Sequence, residues 1–362
     1  MKYIMCICNT FLQIIIAIAM KETLFESDVM TIVITDHSND AEQVALNLKK
    51  ENLFNDVIFE KVKELDKEKH GLLQGASTIM SIVSGRDSKR FNYTKNKYFD
   101  LLLFYNQSVF VSLLYANLYE MNPDIQVARF EEGVISYSNR MLACKRQDIG
   151  YKLRRKLHKK NISESLNQFY CTYPEYYDGA LKVEKIPTNC LYDPKVVDLI
   201  KRVFLGKRTI IPYRQTYIYF SSVYDFEGET PINELKLIET IASVVGKENL
   251  IVKVHPRDNM ERFRNQGLII DPNSNVPWEA IQFGMDFSEH IFLTVNSTSV
   301  LTVNMLLEKP AETYFLYPMC DIQDNSIASQ TVQSLESLFI GHGLYKDMKW
   351  LHISDNIKEI LS

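Results

Sequence analysis

The sequence predicts an α/β protein of two domains, each built on a parallel β-sheet, and three observations support this prediction. Short apolar runs rich in β-branched residues alternate with longer stretches of helical pattern along most of the 362 residues. The run Phe99 to Tyr105 is apolar apart from Asp100, as expected of a strand that helices cover on both faces. The chain is also longer than the roughly 250–300 residues at which a single hydrophobic core stops growing.

The composition is that of a globular protein. Hydrophobic residues make up 46% of the chain and charged residues 24%, which indicates a substantial core. The net charge of −4 gives no overall reason to expect nucleic acid as a partner. The six cysteines show neither metal-ligand spacing nor the density of a disulfide scaffold, so we expect them to be reduced and the protein to be cytoplasmic.

The apolar stretch Tyr3 to Met20 has two interpretations. Its hydropathy fits a targeting segment or a membrane span, but Asn9, Thr10 and Gln13 interrupt it and no small-residue cleavage site follows. We therefore predict a strand at residues 2–8, followed by a helix that Thr10 caps.

The predicted elements alternate along the chain. Strands are predicted at residues 2–8, 30–35, 57–59, 99–105, 126–130, 169–171, 217–220, 250–255, 267–270, 291–295 and 313–316. Helices are predicted at residues 11–24, 40–53, 109–119, 193–204, 233–245, 300–307, 325–339 and 355–361. Residues 64–98 are polar and are expected to be helical only in part.

The transition between the two sets of elements predicts the domain boundaries. Residues 1–190 form the first domain, residues 191–212 a linker and residues 213–349 the second domain. A C-terminal helix at 350–362 is expected to return to the first domain.

Two polar motifs at predicted strand ends suit the chemistry of a phosphate leaving group. His255 ends the strand at 250–255, and the carboxyl ends of strands in an open α/β sheet border the ligand crevice. Ser297, Thr298 and Ser299 follow the strand at 291–295, and hydroxyls beside free backbone N–H groups suit a phosphate. Each motif also has a structural interpretation, as a capped strand end or as a helix N-cap.

The motif Glu131-Glu132-Gly133 ends the strand at 126–130. A carboxylate at a strand end, followed by a glycine that permits a tight turn, is well placed to act as a general base. The alternative is a solvated turn. Neighbouring side chains on an extended segment point to opposite sides, so only one of the two carboxylates is expected to face the ligand.

Basic residues are concentrated between Lys145 and Lys160. This stretch predicts an exposed basic helix, whose partner is either a membrane surface or a polyanion. The alternative is an ordinary solvated face.

Four short motifs together resemble bacterial sialyltransferases of glycosyltransferase family 52, the lipooligosaccharide and capsule type. The motifs are the opening Cys8 to Gln13, the acidic pair before Gly133, His255-Pro256, and Ser297-Thr298-Ser299. The order and strand-end positions of these motifs are also similar, more loosely, to those of the bacterial polysialyltransferases. At position 132 this sequence has glutamate where aspartate is commoner, and in this detail it is more similar to the polysialyltransferases.

The resemblance implies an α/β protein of the GT-B fold, with two Rossmann-like domains facing a central cleft. It implies an inverting, metal-independent transfer of sialic acid from CMP-sialic acid to a galactoside-type acceptor of lipooligosaccharide or capsule, with no other cofactor. The partners are then a nucleotide-sugar donor and a glycan acceptor. The expected location is the cytoplasm, with peripheral contact on the inner face of the cell membrane. Whether the protein forms a homodimer is left undecided by the sequence.

The resemblance also assigns roles to individual residues. Glu132 would deprotonate the acceptor hydroxyl with Glu131 in support, and His255 would stabilise the departing CMP phosphate. Further donor-binding residues would be Lys253, Pro256, Glu279, Asn296, Ser297, Thr298 and Ser299. Acceptor-binding residues would be Asn9, Thr10 and Gln13.

Other functions stay open at this level. A Kdo transferase or a teichoic-acid-type polymerase would use similar motifs with a different donor. A non-catalytic GT-B-like protein of a capsule-assembly complex would use none of them in catalysis. The sequence holds no Asp-x-Asp motif, in agreement with metal-independent transfer.

Overall fold

A computed structural model describes residues 1–66, 72–85, 90–137, 145–222, 233–255, 258–274, 276–302, 304–324, 326–341 and 343–361. The chain divides into two compact units. Unit 1 consists of Met1–Glu132 and Ser136–Cys190, and unit 2 consists of Gly133–Ile135 and Leu191–Ser362. Among the described residues, no helix combines the length and the apolar character that crossing a membrane requires.

Unit 1 contains seven strands and seven α-helices within the described residues. The strands are β1 (Tyr3–Cys8), β2 (Val29–Thr35), β3 (Asp56–Glu60), β4 (Leu101–Phe104), β5 (Gln126–Phe130), β6 (Leu166–Cys171) and β7 (Lys182–Lys185). The helices are α1 (Phe11–Glu22), α2 (Ala41–Lys50), α3 (Lys63–Asp66), α4 (Leu72–Ser84), α5 (Val109–Met121), α6 (Lys145–Lys156) and α7 (Ile162–Ser165).

The strands of unit 1 form one parallel sheet in the order β3-β2-β1-β4-β5-β6-β7. Strand β1 lies inside the sheet between β2 and β4, and its apolar residues Ile4 to Cys8 are all buried. The chain runs outward from β1 through β2 to β3, then returns to the other side of β1 at β4. The order therefore reverses between β1 and β4, and ligands of open α/β sheets bind at the carboxyl ends of strands at such a reversal.

Unit 2 repeats this plan with six described strands. They are β8 (Tyr217–Phe220), β9 (Leu250–Lys253), β10 (Ile269–Ile270), β11 (Ile291–Thr294), β12 (Glu312–Phe315) and β13 (Leu351–Ile353). The helices are α8 (Pro194–Leu205), α9 (Glu234–Val245), α10 (Glu261–Arg264), α11 (Trp278–Gly284), α12 (Ser299–Thr302), α13 (Ile327–Glu336) and α14 (Leu344–Asp347). The sheet is parallel, in the order β10-β9-β8-β11-β12-β13, and reverses between β8 and β11.

The two parallel sheets confirm the predicted fold class, an α/β protein of two Rossmann-like domains as in the GT-B fold. The predicted cleft between the domains stays a prediction. The predicted linker 191–212 contains helix α8, and the apolar face of this helix is buried in unit 2 because Val196, Ile200, Val203 and Phe204 recur at helical spacing.

Two predictions for the C-terminal half need correction. Residues 350–361 do not return to the first domain but lie in unit 2, where Leu351–Ile353 pair with β12 as the edge strand of the second sheet and the helix predicted at 355–361 is a 3-10 helix at Ile357–Leu361. The helix predicted at 300–307 is shorter, since α12 covers Ser299–Thr302 and a 3-10 turn covers Asn304–Leu306.

Candidate active site

The carboxyl ends of β9, β8 and β11 lie side by side in unit 2. Ser221 follows β8, is 2% exposed, and donates its backbone N–H to the Lys253 carbonyl at 3.1 Å. The Ser221 hydroxyl accepts the backbone N–H of His255 at 2.9 Å. The predicted histidine is therefore held at the end of β9, next to the point where the strand order reverses. Pro256 lies outside the described residues.

Asn296 and Ser297 bring the end of β11 to the same edge. The hydroxyl of Ser222, the next residue after Ser221, donates to the side-chain oxygen of Asn296 at 2.9 Å. The backbone N–H of Ser297 donates to the hydroxyl of Thr294 at 2.9 Å, which fixes the turn after the strand. His255 and Asn296 thus follow strands that each hydrogen-bond to β8.

The three predicted hydroxyl residues form the end of this turn. The hydroxyls of Ser297 and Ser299 are 2.8 Å apart, and Ser299 is exposed. The carbonyl of Thr298 accepts the backbone N–H of Leu301 at 3.1 Å, which starts the helical turn. Both interpretations of this motif are compatible with the geometry, because the turn is closed by backbone bonds while the serine hydroxyls lie near the surface.

Lys253 and Glu279 come together, but Lys253 is already paired. Its ammonium lies 2.9 Å from the Asp271 carboxylate and 5.1 Å from the centre of the Trp278 ring. The Tyr213 hydroxyl also donates to Asp271, at 2.8 Å. Burial raises the pKa of the Glu279 carboxyl, while its own backbone N–H and nearby Lys253 act to lower that pKa. Lys253 is thus tied into the structure, and its contact with a donor stays a prediction.

Glu234 is a buried carboxylate that sequence reasoning missed. It accepts the backbone N–H of Ser222 at 3.0 Å, the Tyr219 hydroxyl at 3.1 Å and the Arg262 guanidinium at 3.0 Å. Burial raises the pKa of Glu234 to about 7, although these three donors lower it. In the sequence Glu234 resembles an ordinary acidic residue at a helix start. Its contact with the end of β8 therefore could not be predicted from the sequence.

The raised pKa of Glu234 predicts a dependence of stability on pH. A carboxyl with a folded-state pKa of about 7 and an ordinary value of 4.5 favours the fold when it is protonated. Its contribution is complete below about pH 4.5 and is lost as the pH rises towards 7, an effect on the order of 3 kcal/mol. Urea unfolding of Glu234→Gln at a series of pH values should show a weaker fall in unfolding free energy across this window than the wild type.

The carboxylate of Glu131 is fully engaged in unit 1. It is 3% exposed and accepts the backbone N–H of Thr172 at 2.6 Å, the Thr172 hydroxyl at 2.7 Å and the Tyr137 hydroxyl at 3.0 Å. Burial raises the pKa of Glu131, and these hydrogen bonds oppose the rise. Glu131 connects the end of β5 to the end of β6, and its predicted role in support of Glu132 stays a prediction.

Glu132 lies in a different environment. It is only half-buried, and its backbone N–H donates to the Ser136 hydroxyl at 2.6 Å. Burial and the charge of Glu132 both raise the pKa of Tyr105, which follows β4. The two adjacent carboxylates are therefore separated as strand alternation predicts, with Glu132 on the more accessible side.

Arg129 is a second residue that sequence reasoning missed. It is 1% exposed, and its guanidinium carbon lies 5.2 Å from the centre of the Tyr105 ring and 5.6 Å from that of Phe169. Burial lowers the pKa of Arg129. No described residue pairs with it through a carboxylate, and its Nε and Nη1 atoms lack hydrogen-bond partners in the described chain.

The predicted acceptor-binding residues form a capping box. The side-chain oxygen of Gln13 accepts the backbone N–H groups of Asn9 at 2.5 Å and Thr10 at 3.2 Å. In return, the Thr10 hydroxyl accepts the backbone N–H of Gln13 at 3.3 Å. The Asn9 side-chain oxygen accepts the Thr35 hydroxyl at 2.8 Å. These side chains shape the turn after β1, and their contact with an acceptor stays a prediction.

Strand order brings these residues of unit 1 to one edge of the sheet. Strands β1, β4 and β5 are consecutive neighbours, and each is parallel to the next. Their carboxyl ends carry Asn9, Tyr105 and Glu132 in that order. In the described part of the chain, no three His, Cys, Asp or Glu side chains form a group that could hold a metal ion.

Comparison with family models gives a match over most of the chain. A family model described as alpha-2,8-polysialyltransferase (POLYST) matches residues 4–315. A search of curated proteins found no match.

Solved structures are similar only at low identity. An alpha/beta-galactoside alpha-2,3-sialyltransferase from Photobacterium phosphoreum is 12% identical with a TM-score of 0.48, covering 99% of this chain and 98% of that chain. A sialyltransferase from Photobacterium damsela is 12% identical with a TM-score of 0.47, covering 98% and 81%. MurG from Acinetobacter baumannii is 10% identical with a TM-score of 0.44, covering 99% and 89%. At these TM-scores the likenesses carry no conclusion about this chain.

Proposed function

Because the chain belongs to the alpha-2,8-polysialyltransferase family, we propose that it transfers sialic acid from CMP-sialic acid to the terminal sialic acid of a surface glycan. The family match confirms that the protein is a glycosyltransferase and confirms the resemblance to the polysialyltransferases. Membership of glycosyltransferase family 52 stays a prediction. The α2,8 linkage is proposed because the family description names it.

The proposed reaction is a single displacement with inversion. The acceptor hydroxyl attacks the anomeric carbon of the sialic acid, the bond to the CMP phosphate breaks, and the acceptor proton passes to Glu132. His255 and the hydroxyls of Ser297, Thr298 and Ser299 stabilise the charge that develops on the leaving phosphate. A single attack on the face opposite the phosphate inverts the configuration at that carbon.

One observation supports this assignment most directly. His255 and Asn296 are held on either side of the end of β8, where the Ser221 hydroxyl fixes the backbone of His255 and Ser222 fixes the side chain of Asn296. The position is the reversal of strand order in unit 2, the usual place for a ligand in such a sheet. A histidine, an amide and hydroxyls at this place suit a nucleotide phosphate.

The test is release of CMP by the purified protein, measured with three acceptor conditions. We expect rapid release of CMP from CMP-sialic acid when the acceptor is an oligosaccharide that ends in sialic acid, and slow release of CMP without an acceptor. The product should contain an α2,8 linkage. Rapid release only with a galactoside would favour the acceptor implied by family 52. Failure to use CMP-sialic acid under every condition would overturn the proposal.

Metal independence gives a separate prediction. Excess EDTA should leave the initial rate within about twofold of the untreated enzyme, and added Mg²⁺ should change it little, because a CMP leaving group stabilised by protein donors needs no Lewis acid. The measurement is CMP release after dialysis against EDTA. Complete loss of activity, restored by a divalent ion, would contradict this mechanism.

A further inference from the structure

Helix α6 carries an exposed apolar stripe. Ile149, Leu153 and Leu157 are 47%, 36% and 56% exposed, and they recur four residues apart from the helix into the turn that follows it. Residues at this spacing lie on one face, so the stripe is about 12 Å long. No other helix in the described parts of the chain carries more than one exposed large hydrophobic residue.

The opposite face of α6 is locked against unit 1. The Gln147 amide donates to the Ser108 carbonyl at 2.7 Å, and the buried Arg154 guanidinium donates to the Ile82 carbonyl at 2.9 Å. A Cβ atom added at Gly150 would lie 2.8 Å from Cγ2 of Ile82, so the helices approach closely there. These contacts fix the rotation of α6 about its axis, and the apolar stripe cannot turn inward.

Positive charge borders the stripe on one side. Lys152 and Lys156 are exposed, and neither forms an ion pair with any described residue. Viewed along the helix axis, Lys152 lies about 60° and Lys156 about 20° away from Ile149. Arg155 is exposed nearby, where it pairs with Glu164 at 2.8 Å. Long basic side chains can bury their stems against an apolar surface while keeping their charges in an anionic layer.

We propose that this face of α6 binds the surface of a bilayer that contains anionic phospholipid. The apolar stripe would enter the boundary between headgroups and acyl chains, while Lys152 and Lys156 would contact lipid phosphates. A second copy of the chain fits less well, because a symmetric contact would bring the same lysines against each other. The overall charge of −4 means that attraction to an anionic surface must come from a local patch such as this one.

The test is co-sedimentation of the full chain with vesicles of phosphatidylcholine alone or mixed with phosphatidylglycerol. We expect binding to the mixed vesicles, weaker binding to the neutral ones and loss of binding at high salt. Lys152→Glu/Lys156→Glu should weaken binding about tenfold or more, since each lysine near such a surface contributes roughly fivefold. Leu153→Ser/Leu157→Ser should also release the protein, and this loss should persist at low salt.

Helix α2 offers matched controls because Leu46, Lys49 and Lys50 are also exposed. Leu46→Ser and Lys49→Glu/Lys50→Glu should bind vesicles as the wild type does. All variants should keep normal turnover of a soluble acceptor, which separates this proposal from the proposed catalytic function. Equal binding by the α6 and α2 variants would overturn the proposal. So would a dimer in sedimentation that Leu153→Ser/Leu157→Ser dissociates, in the absence of vesicle binding.

Discussion

Glu132→Gln is expected to lower the rate of sialyl transfer by at least about 100-fold and to leave donor binding unchanged. Glutamine keeps the shape of the side chain but cannot take the proton of the acceptor hydroxyl. Glu132 is half-buried beside Tyr105, whereas Glu131 is buried, so we expect this substitution to cost less stability than the same change at Glu131. The measurement is donor affinity by calorimetry together with initial rates of CMP release.

Glu131→Gln is the matched control for Glu132→Gln. Its amide would keep one oxygen to accept from the Thr172 backbone N–H but would replace the other oxygen with an NH2 group, so at least one of the hydroxyls of Thr172 and Tyr137 would have to turn round to accept. We therefore expect a loss of roughly 1–3 kcal/mol in stability and a milder effect on turnover. A dead Glu131→Gln enzyme that is folded, beside a nearly normal Glu132→Gln enzyme, would show that the base is the other carboxylate.

His255→Ala is expected to reduce turnover by about 100-fold or more, because the leaving phosphate loses a group that stabilises its charge. The fold should stay intact, since the bond between this residue and Ser221 is made by the backbone N–H of His255 and survives the substitution. Circular dichroism and thermal unfolding check the fold, and CMP release measures the rate.

His352→Ala is a suitable control in the same sheet. His352 lies on the edge strand β13 and contacts the Glu312 carboxylate at 2.5 Å, four strands away from β9. It should keep near-normal turnover. If His255→Ala also keeps near-normal turnover, the role assigned to His255 in stabilising the phosphate is wrong.

The alternation of strands and helices was predictable because buried strands and amphipathic helices have distinct periods. Two edge strands, β7 and β13, do not show the pattern of a buried strand in the sequence. Strand β7 reads Lys-Val-Glu-Lys and β13 has only three residues, so neither presents the continuous apolar run of a central strand. Their pairing depends on neighbours elsewhere in the chain, and single-sequence patterns do not reveal such neighbours.

The candidate site was predictable only where a local rule determined it. The separation of Glu131 from Glu132 follows from strand alternation, but the partner of Glu131 is Thr172, which is distant in sequence. The capping box of Thr10 and Gln13 follows the known spacing of that motif, and the resemblance to a family assigned it to the acceptor instead. Arg129 was visible as the one charge in β5, yet its burial depends on rings contributed by other strands.

The central position of β1 has a consequence for synthesis of the chain. Ile4 and Cys6 pair with Leu101 and Leu103, so one edge of β1 stays unpaired until β4 has left the ribosome. At about 5–20 residues per second this interval lasts on the order of 5–20 s. An apolar strand with an open edge is prone to aggregation. Nascent chains that end before Leu101 should therefore be insoluble, whereas chains that extend past Cys190 contain every strand that the first sheet needs.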